Sequence, residues 1–569
     1  MDVSVPQGSA IIEAAKALNI EVPTLCYLKD VNVIGSCRIC VVEVKGAKAL
    51  VAACTYPVYE GMEVFTNSKR VHESRRMTLE LILSTHDRQC LSCVRSGNCE
   101  LQRLCHLFGV DDESIYDGFN HQYDFDDTSM HMTRDNNKCI LCRRCVAICK
   151  NTQHVGVIGV NERGFNTHIG CAFDLNLDEV ACVSCGQCIV VCPTGAITEK
   201  DDTGKVWEAL HDPAKHVVVQ TAPSIRAAIG EEFGLPIGTD TTGKMVAALR
   251  RLGFDNVYDT DFGADLTVME EATEFIERLN GGVLPLITSC SPGWVKYCEH
   301  YYPEFIPNLS TCKSPQQMTG AVIKTWYAQK HRIDPKDIFV VGVMPCTAKK
   351  FEVSREHESA AGVPDCDVAL TTREIARMIK RAGLEFTQLP DEDFDNPFGE
   401  SSGAGVIFGA TGGVMEASLR TVAEWLEGKE LPSVDFEAVR GFDGVKEATL
   451  TVAGKKIDIA VASGLANAHK LLEKVKSGEK QYHFIEIMGC RGGCINGGGQ
   501  PVQSSHIRSY VKLEEMRAKV LYNQDKNMRV RRAHKNESVQ MLYKEFLGEP
   551  GSHKAHEILH TKFKAREHF

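Results

Sequence analysis

Two cysteine runs constrain this chain more than any other feature of its sequence. Both runs have the spacing C-x-x-C-x-x-C-x-x-x-C, and a proline follows the second run directly. The runs consist of Cys139, Cys142, Cys145 and Cys149, and of Cys182, Cys185, Cys188 and Cys192. Paired runs of this kind bind two [4Fe–4S] clusters, and the fourth cysteine of each run binds the cluster of the other run. One cluster is therefore expected on Cys139, Cys142, Cys145 and Cys192, and a second on Cys149, Cys182, Cys185 and Cys188.

The composition supports metal binding in a reducing compartment. The chain has 569 residues and 24 cysteines, and 17 of the cysteines lie between Cys26 and Cys192, ten of them in C-x-x-C spacings. So long a chain does not suit a secreted disulfide scaffold, and no signal peptide opens it, so we expect a cytoplasmic protein of about four domains. A net charge of −11 argues against nucleic-acid binding. The longest apolar runs, such as 338–344, are too short to span a membrane.

Residues 1–75 predict a small β-rich module that holds a [2Fe–2S] cluster. Helical spacing over 11–18 and alternation over 40–44 indicate a short helix and a strand. The cysteines around them are Cys26, Cys37, Cys40 and Cys54. The module resembles a plant-type [2Fe–2S] ferredoxin with a β-grasp fold, although ten residues separate Cys26 from Cys37 where that family has fewer. Zinc is the alternative metal for these thiolates.

Residues 76–128 predict a mainly helical module with a mixed ligand set. The candidate ligands are His86, Cys90, Cys93 and Cys99. One imidazole and three thiolates can hold either a [4Fe–4S] cluster or a zinc ion, and the spacing alone does not decide between them. Cys105 is a possible spare ligand, although a buried thiol is its more ordinary role.

The rest of the chain predicts a two-cluster ferredoxin domain over 129–208 and a large α/β domain over 209–569. The large domain alternates apolar runs at 216–220, 284–288, 338–344 and 457–462 with helical stretches at 270–279, 321–329 and 373–381. This alternation predicts strands that cross over through helices into mostly parallel sheets. The charged segment 510–569 is predicted to be mostly helical. The predicted fold class is therefore multidomain, with α/β and α+β parts.

Three cysteine-containing loops follow predicted strands of the large domain, at 288–294, 344–352 and 486–501. Open α/β sheets build ligand sites where their strands end, so these loops are expected to meet. They resemble the signature loops of [FeFe]-hydrogenases, whose patterns are TSCCPxW, MPCxxKxxE and ExMxCxxGCxxGGGxP. The patterns occur in order, and together with the cluster modules the resemblance covers essentially the whole chain.

The resemblance implies an H-cluster, which is a [4Fe–4S] cubane joined through a cysteine sulfur to a two-iron centre with CO, cyanide and a dithiolate. Cys346, Cys490 and Cys494 match cubane ligands, and Cys490 or Cys494 matches the bridging thiolate. Lys349 matches a lysine that hydrogen-bonds an iron-bound cyanide.

Other residues match the surroundings of that cluster in the family. Met344 and Met488 match methionines that pack around the two-iron centre. Glu271 and Glu274 lie three apart on one predicted helix and match carboxylates of the family's proton relay. Ser310 matches the hydroxyl between them, and Arg278 matches the outer end of the relay.

One position departs from the family pattern. Where the family has two adjacent cysteines, this chain has Cys290 followed by Ser291. Straight alignment gives Ser291 the ligand position and Cys290 the position of a proton-relay thiol. An alkoxide is a poor iron ligand beside thiolates, so we predict that Cys290 binds the cubane and that Ser291 passes the proton. The reverse assignment is the alternative.

The implied activity is the reversible reaction 2H⁺ + 2e⁻ ⇌ H₂, with electrons relayed through one [2Fe–2S] and three accessory [4Fe–4S] clusters. The loop wording is similar to that of catalytic subunits of NAD(P)-linked hydrogenases. The implied partners are a ferredoxin or NAD(P)-linked flavin and iron–sulfur subunits, and maturation proteins that supply the two-iron centre. The alternatives are a hydrogenase-like iron–sulfur assembly protein, a hydrogen sensor and a passive electron-transfer module.

Overall fold

The computed structural model describes residues 1–567 of the chain. Its strands are β1 (Val41–Val44), β2 (Val51–Ala52), β3 (Val64–Phe65), β4 (Met132–Arg134), β5 (Gly159–Asn161), β6 (His168–Gly170), β7 (Ile197–Glu199), β8 (His216–Thr221), β9 (Asn256–Asp259), β10 (Leu286–Ile287), β11 (Ile338–Met344), β12 (Val368–Thr371), β13 (Val445–Val452), β14 (Lys455–Ser463) and β15 (Phe484–Met488).

The α-helices alternate with these strands through most of the chain. They are α1 (Ile11–Ala17), α2 (Lys69–Leu83), α3 (Glu100–Leu107), α4 (Arg144–Ala147), α5 (Gln187–Val191), α6 (Thr203–His211), α7 (Thr242–Leu252), α8 (Thr260–Leu279), α9 (Pro292–Tyr301), α10 (Pro315–Val322), α11 (Ala328–His331), α12 (Ala348–Glu352), α13 (Thr372–Arg381), α14 (Gly403–Val406), α15 (Gly413–Glu427), α16 (Leu465–Lys476), α17 (Ser505–Tyr510), α18 (Leu513–Asn527), α19 (Glu537–Leu542) and α20 (His553–Leu559). Among residues 1–567, none of these helices is both long and apolar enough to cross a membrane.

The N-terminal part consists of small sheets and short helices, as predicted. The central strand β1 pairs antiparallel with β2 on one side and with β3 on the other. The buried side chains of this sheet pack against Ile11 and Ala15 of α1. In the two-cluster domain, β4 pairs antiparallel with β7, and the short helices α4 and α5 contain Cys145 of the first cysteine run and Cys188 of the second.

The large domain contains two four-stranded sheets, and both are mostly parallel, which confirms the predicted fold class. One sheet has the order β12-β11-β8-β9 and is parallel throughout. The other has the order β10-β15-β14-β13, with an antiparallel hairpin between β13 and β14. Strand β10 is shorter than the predicted stretch 284–288, because Pro285 has no N–H to donate to a neighbouring strand.

Helix α8 crosses the interior beside both sheets and is longer than the sequence predicts. The predicted helix covers 270–279, whereas α8 begins at Thr260, where the Asp259 carboxylate accepts a hydrogen bond from the backbone N–H of Asp261 at 3.1 Å. Its first half is buried although it contains several polar side chains, including Asp265. Asp265 accepts hydrogen bonds from Ser402 Oγ at 2.6 Å and from Asn536 Nδ2 at 2.8 Å inside the fold. Because such a polar side chain can be buried, hydrophobic periodicity does not reveal the first half of this helix.

The C-terminal segment is mostly helical, as predicted, and covers the outer side of α8 and α10. The backbone N–H of Lys313 donates to Leu559 O at 2.8 Å, and that of Thr561 donates to Thr311 O at 2.8 Å. These bonds attach the segment to the loop that carries Ser310.

Candidate active site

The three cysteine loops meet where strands of the two sheets end, as the sequence predicts. The adjacent parallel strands β10 and β15 lead into the loops at 288–294 and 486–501, and β11 of the other sheet leads into the loop at 344–352. The backbone N–H of Gly499 donates to Pro345 O at 2.7 Å. The backbone N–H of Gly489 donates to Ser291 Oγ at 3.1 Å. The site is therefore assembled from both sheets.

Glycines allow the third loop to approach its neighbours closely. A Cβ on Gly497 would lie 2.2 Å from Pro345 O, and one on Gly498 would lie 2.2 Å from Cys185 O in the two-cluster domain. No side chain fits at either position. The glycines thus allow the third loop to pack against Pro345, which follows β11 of the all-parallel sheet, and against the neighbouring two-cluster domain.

Three thiols from two of the loops converge at the buried centre, namely Cys346, Cys490 and Cys494. Burial raises the pKa of all three thiols, and neighbouring thiols raise it further for Cys490 and Cys494. The pKa of Cys494 is raised to about 12. Such thiols stay protonated near neutral pH unless a cationic centre binds them as thiolates. These three soft, buried donors fit an iron–sulfur centre.

A buried lysine lies beside these thiols. The Lys349 Nζ donates to Glu352 Oε2 at 2.9 Å and to Cys290 O at 3.4 Å. Burial disfavours the charged ammonium, but Glu352 outweighs this effect, so the pKa of Lys349 is raised. A charged lysine here can donate to an anionic ligand. Glu352 was not among the predicted site residues, although it occupies the glutamate position of the pattern MPCxxKxxE.

The two methionines lie in different surroundings. Met488 packs in a small buried cluster with Cys290 and Cys494, in contact with Phe408. Met344 is buried at the end of β11 and belongs to the core of the all-parallel sheet. The packing of Met488 beside Cys290 and Cys494 agrees with an apolar wall at the site, and the role of both methionines stays a prediction.

Cys290 and Ser291 are directed towards different groups. The groups that shift the pKa of Cys290, after burial, are Glu271 and Cys494, which raise it, and Lys349, which lowers it. Ser291 directly precedes α9, and its Oγ accepts from the backbone N–H of Gly489, the residue before Cys490. These contacts favour the alternative in which Cys290 faces the relay, while the ligand role of Cys290 stays a prediction.

The predicted relay residues form one continuous row from the centre outwards. Burial raises the pKa of Glu271 to about 8, with Glu274 adding to the effect and the nearby Ser310 hydroxyl opposing it. Ser310 Oγ donates to Glu274 Oε2 at 2.8 Å, and Arg278 Nη2 donates to Glu274 Oε1 at 2.6 Å. Glu271 Oε2 has no hydrogen-bond partner among residues 1–567. A protonated carboxyl group with one unpaired oxygen beside Cys290 suits proton transfer.

The candidate ligands of the predicted ferredoxin-like clusters are brought together. In the N-terminal module, the sulfurs of Cys40 and Cys54 lie 3.3 Å apart, and the Cys26 N–H donates to Cys37 Sγ at 3.4 Å. In the two-cluster domain, most of the thiols that raise one another's pKa belong to the same predicted cross-run group, although Cys145 of one group also raises the pKa of Cys188 in the other. These groups are Cys139, Cys142, Cys145 and Cys192, and Cys149, Cys182, Cys185 and Cys188.

The ligand set at 86–99 lies near the surface. Cys90 is exposed, and Cys93 and Cys99 are half-buried. His86 Nδ1 is buried without a hydrogen-bond partner among the described residues, as suits a nitrogen that binds a metal. Cys105 lies near Cys99 and Cys90, which add to burial in raising its pKa to about 12. The choice between an iron–sulfur cluster and zinc here stays a prediction.

Two glutamines connect the two-cluster domain to the central thiols. Gln187 Nε2 donates to Cys490 Sγ at 3.2 Å, and buried Gln153 donates to Gly489 O at 2.8 Å. Gln153 also hydrogen-bonds Cys185, one of the thiols of the second cross-run group. Sequence reasoning missed both residues, because an amide carries no metal-ligand signal of its own.

Known proteins share this architecture along nearly the whole chain. Family profiles match "iron only hydrogenase large subunit, C-terminal domain" over 215–498, "iron hydrogenase small subunit" over 512–566, "2Fe-2S iron-sulfur cluster binding domain" over 1–69, "NADH-ubiquinone oxidoreductase-G iron-sulfur binding region" over 75–114 and "4Fe-4S dicluster domain" over 138–196.

The NADP-reducing hydrogenase subunit HndD of Solidesulfovibrio fructosivorans is 50% identical, over 99% of this chain and 97% of its own. The chain belongs to the iron-only hydrogenase family. Iron hydrogenase 1 of Clostridium pasteurianum is 44% identical, over 98% of this chain and 97% of its own.

Solved structures of the family agree with the large domain. A variant of apo [FeFe]-hydrogenase HydA1 from Chlamydomonas reinhardtii aligns with a TM-score of 0.57 and 42% identity, covering 64% of this chain and 99% of that one. A cytosolic Fe–S cluster assembly factor of Xenopus tropicalis is 32% identical over 68% of this chain and 83% of its own, so the assembly-protein alternative is not favoured. This iron-only hydrogenase therefore acts in hydrogen metabolism at an H-cluster, with N-terminal iron–sulfur clusters carrying the electrons.

Proposed function

We propose that this chain is the hydrogen-converting subunit of a multi-subunit, NAD(P)-linked hydrogenase. The observation that carries the catalytic part is the convergence of Cys346, Cys490 and Cys494 at the inner end of the row of proton-exchanging groups. The identity of 50% to an NADP-reducing hydrogenase subunit over nearly all of both chains supports the NAD(P)-linked part. A ferredoxin is the alternative electron partner.

The protein side of the chemistry is proton delivery in a water-poor site. When bound, the H-cluster supplies an open iron position at which H₂ is formed or split heterolytically. Glu274 exchanges protons with the exterior beside Arg278, and Ser310 connects its carboxylate to Glu271. Lys349 stays protonated through Glu352 and donates to an anionic ligand of the centre. Met488 forms part of the apolar wall.

Electrons pass between the exterior and the centre through the accessory clusters. We assign one [2Fe–2S] cluster to the module at 1–75, one [4Fe–4S] cluster to His86, Cys90, Cys93 and Cys99, and two [4Fe–4S] clusters to the cross-run groups. The second cross-run group lies next to the centre, where Gln187 donates to Cys490 Sγ. That contact supports it as the last carrier before the H-cluster.

Infrared spectroscopy and a turnover assay together test the proposed reaction. The matured protein should show CO and CN⁻ bands and should evolve and oxidise H₂ with a small-molecule electron carrier. Absence of the bands would favour an assembly protein or a passive electron carrier. Bands without rapid turnover would favour a sensor.

Purification from the native cell tests the partner and the compartment. We expect the chain in the cytoplasmic fraction with a flavin-containing subunit, in a complex that reduces NAD(P)⁺ with H₂. Recovery as a single chain that exchanges electrons only with a ferredoxin would contradict the NAD(P) assignment. Recovery in a periplasmic fraction would contradict the compartment, and one relative is named a periplasmic hydrogenase.

A further inference from the structure

The loop that carries Cys290 and Ser291 is held in one orientation by contacts on both sides. Trp294 Nε1 donates to Thr288 O at 3.1 Å, and Ser289 Oγ donates to Cys312 O at 2.9 Å. Pro292 begins α9 and restricts the backbone directly after Ser291. Cys290 therefore cannot exchange places with Ser291 unless this loop rearranges.

In this orientation the two side chains have different neighbours. Cys290 packs in one cluster with Met488 and Cys494, and it lies within electrostatic reach of Glu271 on one side and of Cys494 and Lys349 on the other. It therefore lies between the inner end of the proton relay and the centre of the site.

Ser291 instead lies against the backbone that leads to a central thiol. Its Oγ is 3.1 Å from the Gly489 nitrogen, and the next residue, Cys490, reaches Gln187 with its sulfur. A Cβ built on Gly489 would approach Ser291 Oγ to 3.3 Å and Trp294 N to 3.5 Å, so the two loops are in close contact. The hydroxyl is thus fixed beside the ligand loop.

We propose that this protein holds the cubane through the three thiolates of Cys346, Cys490 and Cys494, with the Ser291 hydroxyl at the fourth corner and the Cys290 thiol as a proton carrier. This inference rests on the proposed function, because it concerns the same site. Because oxygen is a harder donor than a thiolate, the iron at the serine corner should be held more weakly than the three irons bound by thiolates. The roles of Cys290 and Ser291 are then the reverse of those predicted from the sequence.

The first test measures the loss of the weakly held iron. The full chain is produced without maturation proteins, so that it carries its clusters without the two-iron centre, and is then treated with ferricyanide. The oxidant removes one electron and one iron from a labile cubane, [4Fe–4S]²⁺ → [3Fe–4S]⁺ + Fe²⁺ + e⁻, and electron paramagnetic resonance counts the product. We expect the wild type to form more [3Fe–4S] per chain than Ser291→Cys, by the amount of a single cluster.

A matched control comes from the same loop. Ser289→Cys makes the same change at a hydroxyl that points to Cys312 O, and it should give the wild-type yield. The accessory clusters are common to all three proteins and cancel in the difference. Equal yields from the wild type and Ser291→Cys, with full cubane iron in both, would overturn the proposal.

The second test separates the two roles of Cys290 in the matured protein. Cys290→Ala should keep its cubane iron and its CO and CN⁻ bands, and should lose turnover. Loss of the iron and the bands would identify Cys290 as a ligand and overturn the proposal. A wild type that shows no bands after maturation would count against the proposed function itself, so the two failures are distinguishable.

Discussion

Cys490 lies almost fully buried where two sheets meet, whereas Cys90 lies exposed at the edge of the module at 76–128. The candidate co-ligands of Cys490 include Cys346, which lies more than a hundred residues away in sequence. The exposed thiol has its candidate co-ligands within a stretch of fourteen residues, 86–99, and the next residue, Leu91, is fully exposed. Proton chemistry requires exclusion of water and fixed donors, whereas electron exchange with a partner requires a carrier near the surface.

The largest effect is expected at the buried site, from Glu274→Gln. The amide keeps the shape of the carboxylate but cannot release a proton, and Ser310 and Arg278 both contact this group. H₂ turnover should fall by roughly 10²–10⁴-fold, with the infrared bands unchanged. Glu277→Gln, an exposed position on the same helix, is the control and should keep full turnover. Turnover of Glu274→Gln within a few-fold of the wild type would show that the relay runs elsewhere.

The next effect concerns the junction that holds the peripheral module against the interior. Buried Glu100 accepts bonds from Arg144 Nη1 at 2.8 Å and from Ser505 Oγ at 2.6 Å, so it joins three segments of the chain. Glu100→Gln leaves the buried Arg144 without a counter-charge and should destabilise the fold by about 3 kcal/mol, measured by thermal unfolding. Glu21→Gln removes an exposed ion pair between Glu21 of the module at 1–75 and Arg103 of the module at 76–128, and it should cost about 0–1 kcal/mol.

The Glu100 junction also predicts a pH dependence. Burial opposes ionisation of Glu100, but Arg144 and Ser505 outweigh it and lower its pKa. The ionised Glu100 therefore contributes its full stabilisation above the pKa of an unfolded glutamate, about 4.3. This contribution is lost as the pH falls through the lower pKa that Glu100 has in the folded protein. The Glu100→Gln variant should therefore lose less of its free energy of unfolding than the wild type does over this acid range. An identical acid sensitivity in both proteins would contradict the assignment.

A smaller effect should appear in the pH profile of turnover. The pKa of Glu271 is raised to about 8 by burial and by Glu274. Below that pH the carboxyl group carries a proton that it can pass inwards, and above it the protonated fraction falls roughly tenfold per pH unit. H₂ evolution should therefore decline above about pH 8 in the wild type and, with the same midpoint, in the Glu277→Gln control. A midpoint near the pKa of an exposed glutamate would contradict the role of Glu271.

Features that depend on local spacing could be predicted from the sequence. The cluster cysteines of the two-cluster domain were predictable, because each run is local and the spacing itself positions the donors. The meeting of the loops at 288–294 and 486–501 was predictable, because the parallel strands β10 and β15 end on one edge of the same sheet. The loop at 344–352 comes from the other sheet, and its approach depends on how the two sheets pack. The domain boundaries at 75, 128 and 208 stay predictions, as do the site assignments.

Features that depend on tertiary contacts were not predictable from local pattern. The first half of α8 is buried but polar, so apolar spacing missed it. The role of Gln187 depends on Cys490, which belongs to another domain. The role of Glu352 depends on Lys349, one helical turn earlier. The orientation of Ser291 depends on Gly489, about two hundred residues away in sequence. In each case the deciding interaction lies outside the motif.

The smallest effect on catalysis is expected at the exposed site, from Cys99→Ala. If His86, Cys90, Cys93 and Cys99 hold a [4Fe–4S] cluster, this variant should lose that one cluster signal and its iron, and the remaining clusters should be unchanged. Turnover with a small-molecule carrier should change little, because such a carrier can also reach the other accessory clusters, whereas electron exchange with the native partner should slow. Cys105→Ala, at a thiol near the same group, is the control and should keep the cluster. Loss of the cluster in Cys105→Ala rather than Cys99→Ala would make Cys105 the ligand, and zinc in place of iron at this site would remove it from the electron path.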